Sequence, residues 1–372
     1  MIKMSKLRNN SITKGKHSNS KHNVKENDAM NKEGKRHCMY YTDKFTLPFD
    51  KVLNIDQHLC KEKYKPESNM TQNIHLGQRK LLLSEIQLLT RYYTKYPKVD
   101  PVMLYIGSAT GSHLIALHNM FPKVRFILYD YAKFDIKLKA LPKVFEIHEG
   151  EDGFFTTDKC KALKPRLSKE SLILVSDIRQ DGGSKWSDFE NGIKKDMELQ
   201  KEWVQTLNPV MSLLKFRMVY NQGENYKLPY IKGVIYYGIW APPLSGETRL
   251  LIEKEDNYKI IDYVFNTYEE GMFFHNKYTR QYCFNNEYLE YTTMPDNPYC
   301  PCYDCIAELN VLDEYAQLTK KKLKDIIKLF GKLAHFNKLW NTYKDISKNK
   351  KSVNIDSIIS KSCGAVNSRH LI

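Results

Sequence analysis

Two turns in the sequence carry residue types that bind or activate ligands. The first is the run Gly107-Ser-Ala-Thr-Gly111, which follows an apolar segment ending at Ile106. The second contains Asp177, a carboxylate that ends the apolar run Leu172-Ile-Leu-Val-Ser176. Apolar runs that break into polar turns are typical of the carboxyl ends of strands in open α/β sheets, where ligands bind. We therefore expect both turns to face one crevice.

The glycine turn favours an adenosine-type ligand. It lacks the G-x-G-x-x-G spacing of dinucleotide-binding loops and the Lys-Ser/Thr ending of a P-loop. Asp130 ends the next apolar run, about twenty residues further on, where a carboxylate can accept both ribose hydroxyls of an adenosine. S-adenosylmethionine fits this pattern because it needs no pyrophosphate site. A tight turn that binds nothing is the alternative interpretation.

The segments around these turns predict an α/β fold. Helical spacing over residues 77–96 places Lys80 in the first turn of a helix, where the helix dipole disfavours a cation. Such a cost is tolerated more readily when the lysine has a function. The apolar runs predict strands at 101–106, 124–130, 144–147, 172–176, 210–219, 231–239 and 248–252. Helices are expected after the glycine turn and at 188–207, 263–276 and 311–343. This alternation predicts a Rossmann-like, mostly parallel sheet with helices on both faces and a late antiparallel extension.

Composition indicates a globular protein with an anionic partner. The chain has 372 residues and a net charge of +15, which points to nucleic acid first and an anionic membrane second. We predict a disordered basic tail over 1–36, acting either as a solubilising leader or as an RNA-contacting arm. Residues 37–345 are expected to form a single domain, with a basic helical extension after about residue 310, and 346–372 a flexible C-terminal tail.

The predicted helix over 311–343 has two chemically different sides. Its apolar side carries Leu323, Ile326, Ile327, Phe330 and Leu333. The other side carries lysines at positions 320, 321, 322, 324, 328 and 332. These lysines form either a solvated outer face or a stripe that contacts RNA phosphates.

Cysteine usage and hydropathy bear on the compartment. The eight cysteines are irregularly placed and do not indicate a disulfide framework, so most are expected to be reduced. Cys300, Cys302 and Cys305 resemble half a zinc site, with Cys283 as a candidate fourth ligand, but free thiols are favoured and no metal is predicted. No apolar run approaches the roughly 18 to 20 residues that span a bilayer, and no signal peptide is visible. The expected protein is soluble and intracellular, without a membrane partner.

A set of short motifs gives the sequence a specific resemblance. In chain order they are Tyr64-Lys-Pro-Glu-Ser68, Gly77-Gln-Arg-Lys-Leu-Leu-Leu83, Tyr105-Ile-Gly-Ser-Ala-Thr-Gly111, Ser176-Asp-Ile-Arg179, Leu207-Asn-Pro-Val210, Leu214-Lys-Phe-Arg217, Gly246-Glu-Thr-Arg-Leu-Leu251 and Tyr268-Glu269. Together they resemble the poxvirus family of cap-specific mRNA (nucleoside-2′-O-)methyltransferases, which also serve as small subunits of the viral poly(A) polymerase. The resemblance runs from about residue 52 to about 310. It implies a methyltransferase domain.

The resemblance implies a catalytic tetrad of Lys80, Asp177, Lys215 and Glu247. A ribose 2′-hydroxyl is a poor nucleophile, and an amine can take its proton only if the pKa of that amine is lowered. Burial and a neighbouring cation lower a lysine pKa, whereas carboxylates raise it and fix the amine in place. Lys215 is therefore expected to act as the base or the orienting group at the 2′-oxygen. Lys80 is the second cation, and the two carboxylates position both amines.

The resemblance also implies two binding pockets. The methyl donor, S-adenosyl-L-methionine, would contact Gln78, Leu81, Tyr105, Gly107, Gly111 and Asp130. The family's arginine after that aspartate is replaced by Ala132 and Lys133. The cap pocket would use Tyr64 and Tyr220 to sandwich the cationic 7-methylguanine and Glu269 to accept its N–H edge. The second acid falls on Gln222 or shifts to Glu224, and Leu244 replaces an expected tyrosine.

The function implied is cap-specific 2′-O-methylation of the first transcribed nucleotide of capped mRNA. The expected partners are capped mRNA, through its cap and downstream phosphates, and a viral poly(A) polymerase catalytic subunit. The expected location is the host cytoplasm, in the viral factory, with the virion as a further site. Two alternatives stay open: an RNA-binding processivity subunit of the polymerase, and a methyltransferase for uncapped or internal RNA.

Overall fold

The computed structural model describes residues 29–30, 36–37, 40–42, 77–179, 186–220, 222–223, 225–242, 245–256, 258–276, 280, 283–285, 288–292, 299 and 303–336. The strands are β1 (Ala29–Met30), β2 (Arg36–His37), β3 (Tyr40–Thr42), β4 (Val102–Ile106), β5 (Arg125–Asp130), β6 (Phe145–Glu149), β7 (Leu172–Ser176), β8 (Met211–Phe216), β9 (Lys227–Ile231), β10 (Val234–Tyr237), β11 (Thr248–Glu253), β12 (Ile260–Val264) and β13 (Cys283–Asn285). The α-helices are α1 (Gly77–Lys95), α2 (Ser112–Met120), α3 (Ile136–Lys139), α4 (Thr157–Leu167), α5 (Trp186–Leu207), α6 (Phe265–Phe274), α7 (Leu289–Thr292), α8 (Tyr303–Thr319) and α9 (Leu323–Phe336). Short 3₁₀ turns lie at Gly150–Gly153 and Lys254–Asp256.

The central sheet has seven strands in the order β10-β11-β8-β7-β4-β5-β6. The strands from β8 to β6 pair in parallel, whereas β11 and β10 add an antiparallel extension. Strands β4, β7 and β8 are buried along their whole length, as expected when helices cover both faces of a sheet. The predicted mostly parallel sheet and its late antiparallel strands are confirmed.

Helices lie on both faces of this sheet. One core includes Leu82 of α1, Leu117 of α2 and Leu309 of α8, packed with the β4 side chains Met103 and Tyr105. The opposite core gathers side chains of α4 and α5 against the alternate residues of the same strands. The chain therefore has the predicted Rossmann-like architecture.

The strand order reverses between β4 and β7, and both predicted turns lie there. The chain builds outward from β4 through β5 to β6, then returns to place β7 on the other side of β4. Gly107 has φ +81°, and a Cβ at this position would lie 2.9 Å from the backbone carbon of Asp177. Only a residue without a side chain lets the two turns approach this closely. Glycine at 107 thus brings Asp177 to the crevice at the switch point.

Two predicted elements differ from the structure. The strand expected over 231–239 is divided between β9, which pairs with β12, and β10, which pairs with β11. Gly233 permits this change of sheet, because a Cβ there would lie 2.5 Å from the Leu251 carbonyl oxygen.

The helix expected over 311–343 is also different, since it consists of α8 and α9. Helix α8 begins eight residues earlier than predicted, at Tyr303. Lys320, in the left-handed region at φ 55°, follows the end of α8 at Thr319. Left-handed residues commonly end helices in this way. The apolar side predicted for the second half is confirmed, since Leu323, Ile326 and Phe330 are buried.

Several predictions fall outside the described residues. They include the structure of both tails, apart from the two-residue strands β1 and β2, and the part of the chain after residue 336. Cys300 and Cys302 are also outside, while Cys305 is buried in α8. Within the described residues, no helix is long and apolar enough to cross a membrane.

Candidate active site

The four residues of the expected tetrad form one cluster of ion pairs. Lys215 Nζ lies 3.1 Å from Asp177 Oδ1 and 3.6 Å from Glu247 Oε2. Lys80 Nζ donates to Glu247 Oε1 at 3.2 Å. Glu247 thus contacts both amines, and Asp177 contacts that of Lys215. The four side chains come from α1, β8, the turn after β7 and the residue just before β11, so only the fold brings them together.

Lys215 lies in an environment suited to a base. Its side chain is 10% exposed and donates to the Asp177 carbonyl oxygen at 3.0 Å. Burial lowers the pKa of this amine, and Asp177 and Glu247 oppose that shift, while the charges of Arg249 and Arg179 add to it. The pKa of Lys215 therefore lies below its ordinary value, as the chemistry requires.

The two carboxylates keep their negative charge in this cluster. Burial opposes ionisation of Asp177, but the charges of Arg249 and Lys215 outweigh it and the pKa is lowered. Burial also opposes ionisation of Glu247, whose pKa is held well below its ordinary value by Lys80 and then Arg249. Both groups therefore act as fixed anions.

Two arginines of the cluster were not assigned roles from the sequence. Arg249 is 5% exposed, and its guanidinium donates to Asp177 Oδ1 at 2.5 Å and to Glu247 Oε1 at 3.2 Å. It lies directly opposite Lys215 in the β11–β8 register. Arg179 lies 3.4 Å from Glu247 Oε2. The run Glu247-Thr-Arg249 in the sequence could have indicated Arg249, because alternate residues of a strand lie on the same face and Arg249 therefore shares the face of Glu247.

The glycine turn lies beside residues expected to hold the donor. Asp130 Oδ2 accepts the Ala109 N–H at 2.8 Å, and its Oδ1 accepts the Ala132 N–H at 2.8 Å. Gly111 has φ +70°, and a Cβ there would lie 2.7 Å from Leu138 Cδ1. Asp130 is therefore fixed at the rim of the turn, with Lys133 exposed nearby in sequence.

The remaining donor residues lie on α1 and β4. Gln78 Oε1 accepts the Ser112 hydroxyl at 3.1 Å and lies 2.7 Å from His113 Nδ1, so its amide is tied to the helix after the glycine turn. Leu81 and Tyr105 are buried, and Tyr105 packs in the core. Burial raises the pKa of Tyr105 well above its ordinary value, and the nearby charge of Glu85 adds to this. Among these residues, Gln78 and the glycine turn are the best placed for a ligand.

Part of the expected cap pocket adjoins the tetrad. A Cβ at Gly246 would lie 2.8 Å from the Tyr220 hydroxyl, so Tyr220 packs against the residue just before Glu247. Phe265 meets the Tyr220 ring edge-to-face at 5.3 Å. Glu269, half-buried, is one helical turn after Phe265 and on the same side of α6. Gln222 is exposed, and Tyr64, Glu224 and Leu244 lie outside the described residues.

The sequence also matches a known protein family. A family model described as "Poly A polymerase regulatory subunit" matches residues 46–332. The chain belongs to this family. The family predicted from the short motifs is therefore confirmed.

Two curated relatives carry the name "Cap-specific mRNA (nucleoside-2'-O-)-methyltransferase". The protein of Fowlpox virus (strain NVSL) is 31% identical over 192 residues, which are 50% of this chain and 60% of the relative. The protein of Myxoma virus (strain Lausanne) is 29% identical over 254 residues, which are 63% of this chain and 70% of the relative. The chain thus spans three fifths of the fowlpox relative's length.

Proposed function

We propose that this family member is a viral, S-adenosylmethionine-dependent mRNA cap (nucleoside-2′-O-)methyltransferase. It would methylate the ribose 2′-hydroxyl of the first transcribed nucleotide of capped RNA in the host cytoplasm, converting cap 0 to cap 1. The observation that carries the proposal is the joining of Lys80, Asp177, Lys215 and Glu247 in one cluster beside the glycine turn. The names of the fowlpox and myxoma relatives support the same activity.

The residues of the cluster have separate tasks in this reaction. The neutral Lys215 amine would accept the proton of the 2′-hydroxyl as the oxygen attacks, and its lowered pKa makes the neutral form more accessible than in an ordinary lysine. Asp177 fixes Lys215, and Glu247 fixes Lys80 beside it. When bound, S-adenosylmethionine supplies a methyl group already activated by its sulfonium. Positioning by the cluster therefore supplies most of the acceleration.

The residues near the glycine turn fit such a donor. At Gly107 and Gly111 a side chain would collide with the Asp177 backbone and the Leu138 side chain, so the glycines let the turn close on the switch point, and Asp130 offers a carboxylate at the rim. A carboxylate at this point of a switch-point crevice accepts ribose hydroxyls. The Gln78 oxygen is used by neighbouring side chains, so its amide NH₂ is the group available to donate to the ligand.

The proposal is tested by methyl transfer from labelled S-adenosylmethionine to three RNAs: capped, uncapped, and capped with a 2′-O-methyl already present. We expect transfer to the first only. Lys215→Ala should lower the rate by about 10²- to 10⁴-fold, the usual contribution of a general base. Lys232→Ala, which changes an exposed lysine paired with Asp256, is the matched control.

Equal transfer to the 2′-O-methylated RNA, or full activity of Lys215→Ala, would contradict the mechanism. Transfer to uncapped RNA as fast as to capped RNA would instead favour the broader RNA methyltransferase. Loss of the preference for capped RNA in Tyr220→Ala and Glu269→Ala would support these residues as cap-binding.

A second role is supported by α9 and by the family description. The lysines at positions 320, 321, 322, 324, 328 and 332 are all exposed. We propose that they hold RNA phosphates when the protein acts as an RNA-binding subunit beside a viral poly(A) polymerase catalytic subunit. Lys324→Glu with Lys328→Glu should weaken RNA binding and lower the slope of log affinity against log salt by roughly one per phosphate contact. An unchanged slope would favour a solvated face.

A further inference from the structure

A second cluster of buried charges lies outside the tetrad and is centred on α8. Its carboxylates are Asp304 and Glu308, which are 6% and 0% exposed. We call these two residues the C-terminal anchor. Sequence patterns gave them no role, because acidic residues in a helix usually face solvent. Here both are turned into the protein and both are paired with arginine.

Glu308 connects α8 to the start of α1. Arg79 forms a bidentate ion pair with it, with Nε 2.6 Å from Glu308 Oε2 and Nη2 in close contact with Oε1. Arg79 is 3% exposed and immediately precedes Lys80. Glu308 also accepts hydrogen bonds from Trp240 Nε1 at 2.8 Å and the Tyr299 hydroxyl at 2.7 Å. The bidentate ion pair between Arg79 and Glu308 thus restricts the position of the α1 backbone next to Lys80.

Asp304 connects α8 to the segment before Glu247. It accepts the Trp240 N–H at 2.9 Å and Arg280 Nε at 3.0 Å. Arg280 Nη2 donates to the Ala241 carbonyl at 2.9 Å, which holds the chain on its way from β10 to β11.

The connection continues from Arg280 to Glu247. Arg280 Nη1 donates to Asn276 Oδ1 at 3.3 Å. Asn276 Nδ2 donates to the Ser245 carbonyl at 2.9 Å, and Ser245 Oγ accepts the Glu247 N–H at 3.2 Å. A chain of hydrogen bonds therefore leads from Asp304 to the backbone of Glu247.

The two routes meet at Lys80. A Cβ at Gly238 would lie 3.2 Å from Lys80 Cδ, so the segment held by Asp304 also packs on the methylenes of the lysine held through Arg79. Lys80 and Glu247, which pair with each other at 3.2 Å, are therefore both tied to a single helix.

Packing alone does not require such a cluster. Apolar side chains of α8, such as Ile306 and Leu309, already bury the helix, and buried ion pairs add little net stability because desolvation offsets their attraction. A fully paired polar network does fix orientation, since each member has few alternative partners. We propose that Asp304 and Glu308 are positioning residues that hold Lys80 in register with Glu247 for methyl transfer. This inference rests on the proposed function.

The inference is tested with Glu308→Gln and Asp304→Asn, which keep the side-chain shape and remove the charge. Both should lower kcat by about 10- to 100-fold, as expected when a reacting group is misplaced by about 1 Å. The KM for capped RNA and the affinity for S-adenosylmethionine should stay near native values. Tyr315→Phe is the control, because it removes a buried hydrogen bond of the same helix, to the Met120 carbonyl, that does not lead to the tetrad.

A second measurement reads the position of Lys80 without catalysis. Trace acetylation by acetic anhydride, followed by mass spectrometry, compares Lys80, which is 15% exposed, with the exposed Lys232 in the same protein. Relative labelling of Lys80 should rise in Glu308→Gln and Asp304→Asn and stay native in Tyr315→Phe.

Each outcome decides between the two proposals. Native kcat and native Lys80 labelling in both anchor variants would overturn the inference while leaving the methyltransferase intact. An equal loss of kcat in Tyr315→Phe would also overturn it, because general loosening would then explain the effect. If the unaltered protein transfers no methyl group, the proposed function fails, and the labelling alone decides whether the anchor positions Lys80.

Discussion

The tetrad and the C-terminal anchor are built from the same groups but differ in exposure. In each, two carboxylates face arginine or lysine at hydrogen-bonding distance. Asp177 and Glu247 are 18% and 21% exposed at the edge of the crevice, whereas Glu308 is fully buried and Asp304 nearly so. The tetrad is therefore open to solvent, as the proposed proton transfer requires, whereas the anchor can only hold its partners.

The comparison also separates two uses of buried arginine. Arg249 lies beside Lys215 and shifts the pKa of that amine downwards, so in the proposed mechanism its charge bears on proton transfer. Arg79 binds Glu308 and fixes the backbone next to Lys80, so its charge bears on geometry. An electrostatic role and a positioning role should therefore respond differently to pH.

Arg249→Met should have the largest effect, because it acts on the base directly. Removing its charge raises the pKa of Lys215, so less of the amine is neutral at a given pH, and the rise of kcat with pH moves to higher pH. Below the new pKa of Lys215, each unit by which that pKa has been raised lowers the rate about tenfold. The measurement is the pH profile of kcat, with Arg125→Met, in an exposed pair with Glu170, as the control. A profile at its native position would show that Arg249 is structural.

Glu247→Gln should change stability in a pH-dependent way. The folded-state pKa of Glu247 lies well below its value in an unfolded chain. The contribution of its charge to the free energy of unfolding is therefore present above about pH 4.3 and is lost as the pH falls through the folded-state pKa. We expect the variant to have a lower Tm than the native protein at pH 7, by a few degrees. The gap should narrow as the pH falls below about 5.

The test needs Tm values for both proteins from pH 7 down to about pH 2, so that the window of loss is covered, with Glu151→Gln, at an exposed carboxylate, as the control. A constant gap across this range would mean that the Glu247 charge does not stabilise the fold.

Glu253→Gln should have the smallest effect. Glu253 pairs with Arg91, which is 46% exposed, at the end of β11 remote from Glu247, and exposed pairs contribute about 0 to 1 kcal/mol. Urea denaturation should show a change within that range, and methyl transfer should keep its native rate. A loss above about 2 kcal/mol, or a tenfold lower rate, would place this pair with the buried clusters.

The fold was largely predictable because its signals are local. Buried strands such as β4 and β7 are continuous apolar runs, and a left-handed turn after β4 needs the glycine found at 107. The errors arose where tertiary contacts decide: Gly233 lets the chain change sheets within the strand expected over 231–239, and the helix expected over 311–343 is divided into α8, which begins at Tyr303, and α9.

The sequence by itself determined the chemistry that is available: a glycine turn, strand-end acids, and motifs that name Lys80, Asp177, Lys215 and Glu247. Only the tertiary structure decided which charges surround the base and which hold its neighbours. Arg249 faces Lys215 through strand register, and Glu308 reaches Arg79 across 229 residues of chain. The pKa of an amine depends on burial and on charges a few ångströms away, and neither follows from spacing along the chain.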